Sequence, residues 1–369
     1  MDTIAPAYPA ARSAVAVVGG ELAAQGGGFF GGGQGLGAPG GLGQPDGVVD
    51  APRKLVACPS CLPKAGPMDL KDAAQAWRTD GFVILPGFLP ADELASAVQE
   101  LDLLFPSADG FHDGTDPRHE RFIGDEFAGI DTFPFAGTEI SLVAVNHRIL
   151  ELAEALLDDD VHLYGAEAWA KYTGACDYDQ ALHRDYLNHT VLVPSTTPGC
   201  RQVEMFVFLN DVPDELGPPH LVSRKHTAGL PAVPNWLLRP GQETADRFTG
   251  DAGPELYEAE VSGAGPAGTV IAFEPGTFHR GTQLTAPRGA RYSMHLGFRP
   301  PALQWGQRVA WAAKSFTTEW VEFVNRATPR QLQALGFPPP GHQYWTPETL
   351  AGMALRYPRL DLLPWQPTN

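Results

Sequence analysis

Apolar residues along this chain follow two different periods. Leu70, Ala73, Ala74 and Trp77 recur at helical spacing, with Asp69 placed to cap the helix and Gly81 to end it. A second stripe of Leu94, Val98, Leu101 and Phe105 predicts one helix over 91–105, and a third helix is predicted over 147–157 behind an Asn146 cap. Between the first two, Phe82-Val83-Ile84-Leu85 reads as a buried strand closed by Pro86-Gly87. From 161 to about 298 the texture changes to short apolar or alternating runs broken by Pro, Gly and Asp. The segments 161–169, 190–193, 203–209, 269–273 and 292–298 predict an all-β middle, a sandwich or a barrel. Helix returns over 317–325, with Trp320, Phe323 and Val324 on one face, and Thr328-Pro329 predicts another helix start. The chain shows no internal repeat.

Composition sharpens this picture. The 369 residues include 41 glycines and 35 prolines, a share that suits many short strands and disfavours a helical bundle. Residues 1–67 are Gly/Pro/Ala-rich, and 26–47 is low in complexity. Such a segment buries too little apolar surface to offset its ordering entropy, so it is expected to be a disordered leader before one folded domain over 68–369. Deleting 1–67 is therefore expected to leave the melting temperature unchanged; a large drop would show that the leader docks on the domain. Its charges cancel, so the net −17 of the chain belongs to the folded part. That balance argues against nucleic-acid and membrane partners. No apolar run is long enough to cross a bilayer and no secretory signal is evident, which predicts a cytoplasmic protein, monomeric or homodimeric. Cys58 and Cys61 have the spacing of half a zinc site, but no second pair follows; with Cys176 and Cys200 they read as ordinary thiols.

The chemistry starts at Leu182-His183-Arg184-Asp185-Tyr186. If this stretch is extended, His183 and Asp185 point to one face and converge on one place. Taken alone the pattern is weak. Further on, a buried strand and a Pro-Gly turn lead to His279, and two His with one carboxylate make the facial triad of non-haem Fe(II) oxygenases. Such a triad leaves open positions for a chelating cosubstrate and O2. A third stretch, Arg288-Gly-Ala-Arg291, opens a strand. A 2-oxoglutarate that chelates iron through its keto-acid end presents a distal carboxylate, for which a guanidinium is the natural partner. Arg291 fits that role because it leads into the strand, with Arg288 as the alternative.

These pieces, in order with Asp80-Gly-Phe-Val-Ile-Leu-Pro-Gly-Phe-Leu89, Leu209-Asn-Asp-Val212 and Gly217-Pro-Pro-His-Leu-Val-Ser-Arg-Lys-His226, resemble the phytanoyl-CoA dioxygenase family of Fe(II)- and 2-oxoglutarate-dependent oxygenases over roughly 75–300. The resemblance implies a mainly β fold with flanking helices, a double-stranded β-helix of the jelly-roll or cupin-like barrel kind. It implies that His183, Asp185 and His279 bind iron, and that an arginine about eleven residues past the late histidine binds 2-oxoglutarate. Here Arg291 lies twelve residues on, one more than in the family, so Arg288 stays open as the clamp. By the same resemblance Thr282 is the hydroxyl that assists the carboxylate. Related halogenases replace the aspartate with a small residue to make room for chloride; Asp185 disfavours that chemistry.

The expected function is hydroxylation of an unactivated C–H bond in a small-molecule substrate, lipid-like or a secondary metabolite, with release of succinate and CO2. The alternatives are an inactive jelly-roll binding or sensing protein, and a cupin-like metal enzyme that does not use 2-oxoglutarate. His189 is expected to line the cavity or face solvent. His220 and His226 are expected to be structural, and His295 shares the inward face with Arg291. Trp169, Tyr172 and Tyr186 are candidates for a pocket wall or for core.

Overall fold

The α1 helix (Leu70–Asp80) begins where the Asp69 carboxylate accepts the Lys71 N–H at 3.3 Å, and it buries Ala73, Ala74 and Trp77. Gly81 ends it in the left-handed region at φ 85°, and a Cβ there would lie 2.8 Å from the Thr277 hydroxyl. Glycine thus both stops the helix and lets β1 (Phe82–Leu85) start against the loop that leads to His279. This is a computed structural model, and it describes residues 69–125, 128–175, 179–185, 194–230, 235–242, 249–303, 318–342 and 345–366. The expected leader, Cys58, Cys61, Cys176, Tyr186, His189 and the strand expected over 190–193 lie outside the described residues.

The helix predicted over 91–105 is two pieces, α2 (Ala91–Gln99) and α3 (Leu101–Leu104). The break falls at Glu100, whose carboxylate turns away to accept the Ile140 N–H at 2.9 Å. Val98, placed on the apolar stripe by spacing, is instead 39% exposed. After α4 (Ala108–His112) and α5 (Thr138–Val143), α6 (His147–Leu157) matches expectation. Asn146 accepts the Arg148 N–H at 2.8 Å, and Ile149, Leu150, Leu152, Ala153, Leu156 and Leu157 are buried. Toward the C-terminus, Trp320, Phe323 and Val324 of helix Thr318–Arg326 are buried, and Thr328 with Gln331 forms a capping box.

The middle of the chain makes two six-stranded sheets. The first orders β1, β10 (Val270–Phe273), β5 (Val203–Phe208), β12 (Ala290–Arg299), β3 (His162–Tyr172) and β2 (Ile130–Thr132). The second orders β8 (Thr249–Asp251), β7 (Trp236–Leu238), β4 (Leu182–His183), β11 (His279–Gly281), β6 (Pro219–Val222) and β9 (Glu260–Ser262). Among the described residues every pairing is antiparallel except β7 with β8, and no ladder joins one sheet to the other. The architecture is therefore the jelly-roll type expected, two facing sheets with flanking helices; among the described residues no ladder closes one sheet onto the other.

Side-chain alternation on the first sheet separates the packing layer from the chemical layer. Ala290, Met294, Leu296 and Phe298 of β12 join Met205, Val207, Ala168 and Ala170 in the large core beneath the helices. Each such fully buried aliphatic or aromatic side chain contributes roughly 1.5–3 kcal/mol. Tyr172 belongs to this outer core too, stacked on Phe111 with ring centroids 4.1 Å apart, so it fills core and lines no pocket. The opposite face of the same strands carries Arg291, Ser293 and His295 toward the second sheet. There Phe82, Phe208, Ile271 and Phe273 of the first sheet cluster with Leu221 of the second, which sets the two sheets face to face.

Candidate metal centre

Between the sheets, β4 and β11 are neighbours, and His279 stands directly opposite His183 in the register. Directly opposed residues of an antiparallel pair project to the same side, so the two imidazoles meet, with centroids 4.6 Å apart. The β4 strand is only two residues long and Asp185 lies in the turn beyond it, yet Asp185 still comes back to the same place. His183 Nε2 is 3.5 Å from one Asp185 carboxylate oxygen, and His279 Nε2 is 3.1 Å from the other. Arg184 points the other way, with its guanidinium over the Phe278 ring at 4.4 Å.

The backbone fixes which nitrogen of each ring is offered. His183 Nδ1 lies 2.9 Å from the Ala181 carbonyl and His279 Nδ1 lies 3.1 Å from the Thr277 carbonyl. A carbonyl only accepts, so each Nδ1 carries the proton and each Nε2 presents a lone pair toward the aspartate. Burial, with the neighbouring His279 adding to it, pushes the His183 pKa from 6.5 down to about 4. A neutral imidazole is the form that ligates a metal. The three donor atoms lie within 4.8 Å of one another, and the donor set of two imidazoles and one carboxylate suits a divalent first-row metal. Trp236 stacks on the His183 ring at 4.4 Å, and Phe273 lies 4.7 Å from the His279 ring. These aromatic walls hold the ring planes and keep water off their faces.

The depressed pKa has a consequence for the metal-free protein. Between pH 6.5 and about 4 the unfolded chain binds a proton at His183 that the folded chain does not, so stability falls as the pH drops through that window. The integrated loss is roughly 3 kcal/mol for this group. Chemical denaturation of the metal-free parent and of His183→Gln across pH 4–7 is expected to show a shallower slope in the variant; equal slopes would place the acid sensitivity elsewhere.

The remaining sequence-predicted residues fall in different places. Arg291 lies near the start of β12, is 7% exposed, and projects between the sheets. Arg288 is on the surface, 2.8 Å from Asp109 and 2.9 Å from Asp113 of the α4 region. Thr282 sits just past β11 and donates its hydroxyl to the Pro218 carbonyl at 2.8 Å. His220 pairs with Glu260 at 3.1 Å, the structural role expected of it, and His226 is exposed. Cys200 is a free thiol. His295 shares the inward face, as expected, stacked on Phe206 with centroids 4.6 Å apart.

Sequence reasoning missed what lies beside His295. Its Nε2 is 3.4 Å from the buried Glu204 carboxylate, to which the Tyr164 hydroxyl also donates. Burial works against a charge on His295, but the hydrogen bond and charge of Glu204 outweigh it and raise the pKa. Gly297 makes this packing possible, since a Cβ there would lie 2.7 Å from the Tyr164 ring. The signal was present in the sequence: Glu204 is the one acid inside the apolar run 203–208, and a charge on an otherwise buried strand needs a partner.

The family model for phytanoyl-CoA dioxygenase (PhyH) matches residues 77–291, more than half of the chain, and spans the histidines, the aspartate and Arg291. The chain belongs to the phytanoyl-CoA dioxygenase family. Similar solved structures include SnoN, a non-haem α-ketoglutarate-dependent epimerase from nogalamycin biosynthesis, at 20% identity over 63% of this chain and 82% of that one, with a TM-score of 0.43. HygX from Streptomyces hygroscopicus, with nickel and 2-oxoglutarate bound, matches at 18% identity over 63% of this chain and 88% of that one, TM-score 0.45. The nogalamycin carbocyclase SnoK matches at 17% identity over 68% and 93%, TM-score 0.46. No curated protein sequence matches this chain. Among the described residues no helix is long and apolar enough to cross a membrane.

Proposed function

We propose that this member of the phytanoyl-CoA dioxygenase family is an Fe(II)- and 2-oxoglutarate-dependent hydroxylase acting on an unactivated C–H bond of a small molecule. The observation that carries this reading is the convergence of His183, Asp185 and His279 with both Nε2 atoms turned to the carboxylate. Iron bound there would supply, with 2-oxoglutarate and O2, the oxidising power for C–H hydroxylation, with succinate and CO2 as coproducts.

The protein's own part is holding and shielding. His183, Asp185 and His279 would hold the metal through two imidazoles and one carboxylate. Arg291, on the same inward face as His295, binds the distal carboxylate of 2-oxoglutarate in a charge-assisted pair. Phe206, Phe273 and Trp236 pack around the two histidines and shield the reacting centre from water, and Trp169, whose ring lies 6.1 Å from that of His295, is a candidate for the pocket wall. With Asp185 as the carboxylate ligand, the place a halide would need would be taken, which favours hydroxyl transfer.

The test is anaerobic reconstitution with Fe(II) and 2-oxoglutarate, exposure to O2, and a metabolite screen. The expected result is succinate formed in step with a product heavier by one oxygen atom. Succinate formed with a product that has gained no oxygen would replace hydroxylation with another outcome at the same centre, and no succinate with any metabolite would favour a binding protein.

A further inference from the structure

Resting on the metal centre of the reading above, we propose that Asp179 is a positioning residue for it: locked to Arg280 on the outer face of the second sheet, it fixes how the segment of His183 and Asp185 meets the strand of His279. The ladder alone does little of this. β4 has two residues, and it joins β11 through the single pair of His183 with His279. Nothing in so short a pairing sets its register firmly, and a slip of one residue would turn His183 away from His279.

The residues just before β4 supply the missing contacts. The Gln180 N–H donates to the Gly281 carbonyl at 3.0 Å, and the Gly281 N–H donates back to the Gln180 side-chain oxygen at 2.9 Å. One carboxylate oxygen of Asp179 accepts the Gln283 N–H at 2.8 Å and lies 3.2 Å from an Arg280 nitrogen, Nη1. The other lies 3.4 Å from Arg239, just past β7. Arg280 follows His279 and so takes the opposite face of β11, where it is buried. Glu260 of β9 accepts from its Nε at 2.6 Å and its Nη2 at 2.9 Å. This two-pronged pair fixes the guanidinium plane and leaves Nη1 aimed at Asp179. Tyr257 braces the next residue pair: its hydroxyl accepts the Leu182 N–H at 3.1 Å and donates to the Leu237 carbonyl at 2.8 Å, with Arg239 over its ring at 3.9 Å. The desolvation cost of a buried ion pair offsets much of its attraction, so the role left to this one is to specify a single arrangement. The Asp179 side chain is 39% exposed, so its removal takes no packing from the core, which separates positioning from folding.

The test is titration of the full chain with Co(II), a first-row divalent ion whose visible d–d bands report the geometry of its ligands, alongside the melting temperature of the metal-free protein. Asp179→Ala is expected to weaken Co(II) binding about tenfold or more and to alter the d–d bands, while the metal-free protein melts close to the parent. Asp179→Asn keeps an oxygen for the Gln283 N–H but loses the charge that Arg280 grips, and is expected to fall between the two. Glu260→Gln is the control for stability: it weakens the same network from β9, which carries no metal ligand, and is expected to lower the melting temperature while Co(II) affinity and bands stay near the parent. Parental affinity and bands in both Asp179 variants would overturn the role of Asp179 and leave the metal centre intact. So would a loss of affinity that follows the loss of melting temperature across all three variants, the mark of a merely structural contact. A parent that binds no Co(II) would overturn the metal centre and this proposal with it.

Discussion

Replacing His279 with alanine is expected to abolish turnover and to lower Fe(II) affinity by at least about 100-fold, since removal even of groups that merely support metal ligands costs 10–100-fold. The geometry makes this residue decisive. It stands opposite His183 in the ladder, and its Nε2 is 3.1 Å from Asp185. Alanine at His183 or Asp185 is expected to do the same. The fold itself should tolerate each change, because the surrounding cluster of Phe82, Phe208, Ile271 and Phe273 does not depend on the imidazoles. Equilibrium dialysis with Fe(II) under argon, together with circular dichroism to confirm folding, checks both halves. A folded His279→Ala protein with parental iron affinity would remove that residue from the centre.

Arg291→Gln is expected to raise the KM for 2-oxoglutarate strongly while iron still binds. Truncating one partner of a buried, hydrogen-bonded charge pair costs about 2–5 kcal/mol, which spans tens to thousands of fold. Arg288→Gln is the matched control. Its guanidinium is 44% exposed and holds Asp109 and Asp113 at the surface, so its loss should leave the KM near the parent value. If the two variants exchange behaviour, the clamp is Arg288. Steady-state kinetics with varied 2-oxoglutarate, and iron loading measured separately, distinguish these outcomes.

Much of the fold was legible because its signals are local. Asp69 and Asn146 cap the helices they were expected to cap, and the apolar runs that became β5, β10 and β12 sit within a residue or two of their predicted bounds. The metal centre was legible because its residue types are rare in that combination, although His183 and Asp185 were expected on one strand and meet instead across a strand end and a turn. What escaped depended on distant partners. The break at Glu100 is set by a hydrogen bond to Ile140, forty residues on, which no helical periodicity encodes. The pairing of Glu204 with His295 and Tyr164 exists only once β3, β5 and β12 are placed side by side.

The central claim is that one chelating cosubstrate binds at the metal held by His183, Asp185 and His279, with its far carboxylate reaching Arg291. The most direct measurement is an anaerobic titration of 2-oxoglutarate into the Fe(II)-loaded protein, followed by visible absorption for the metal-to-ligand charge-transfer band of a chelated 2-oxo acid. The account predicts a band that saturates at one 2-oxoglutarate per chain, is lost in His279→Ala, and needs a much higher concentration in Arg291→Gln. Absence of any such band in the iron-loaded parent would contradict it.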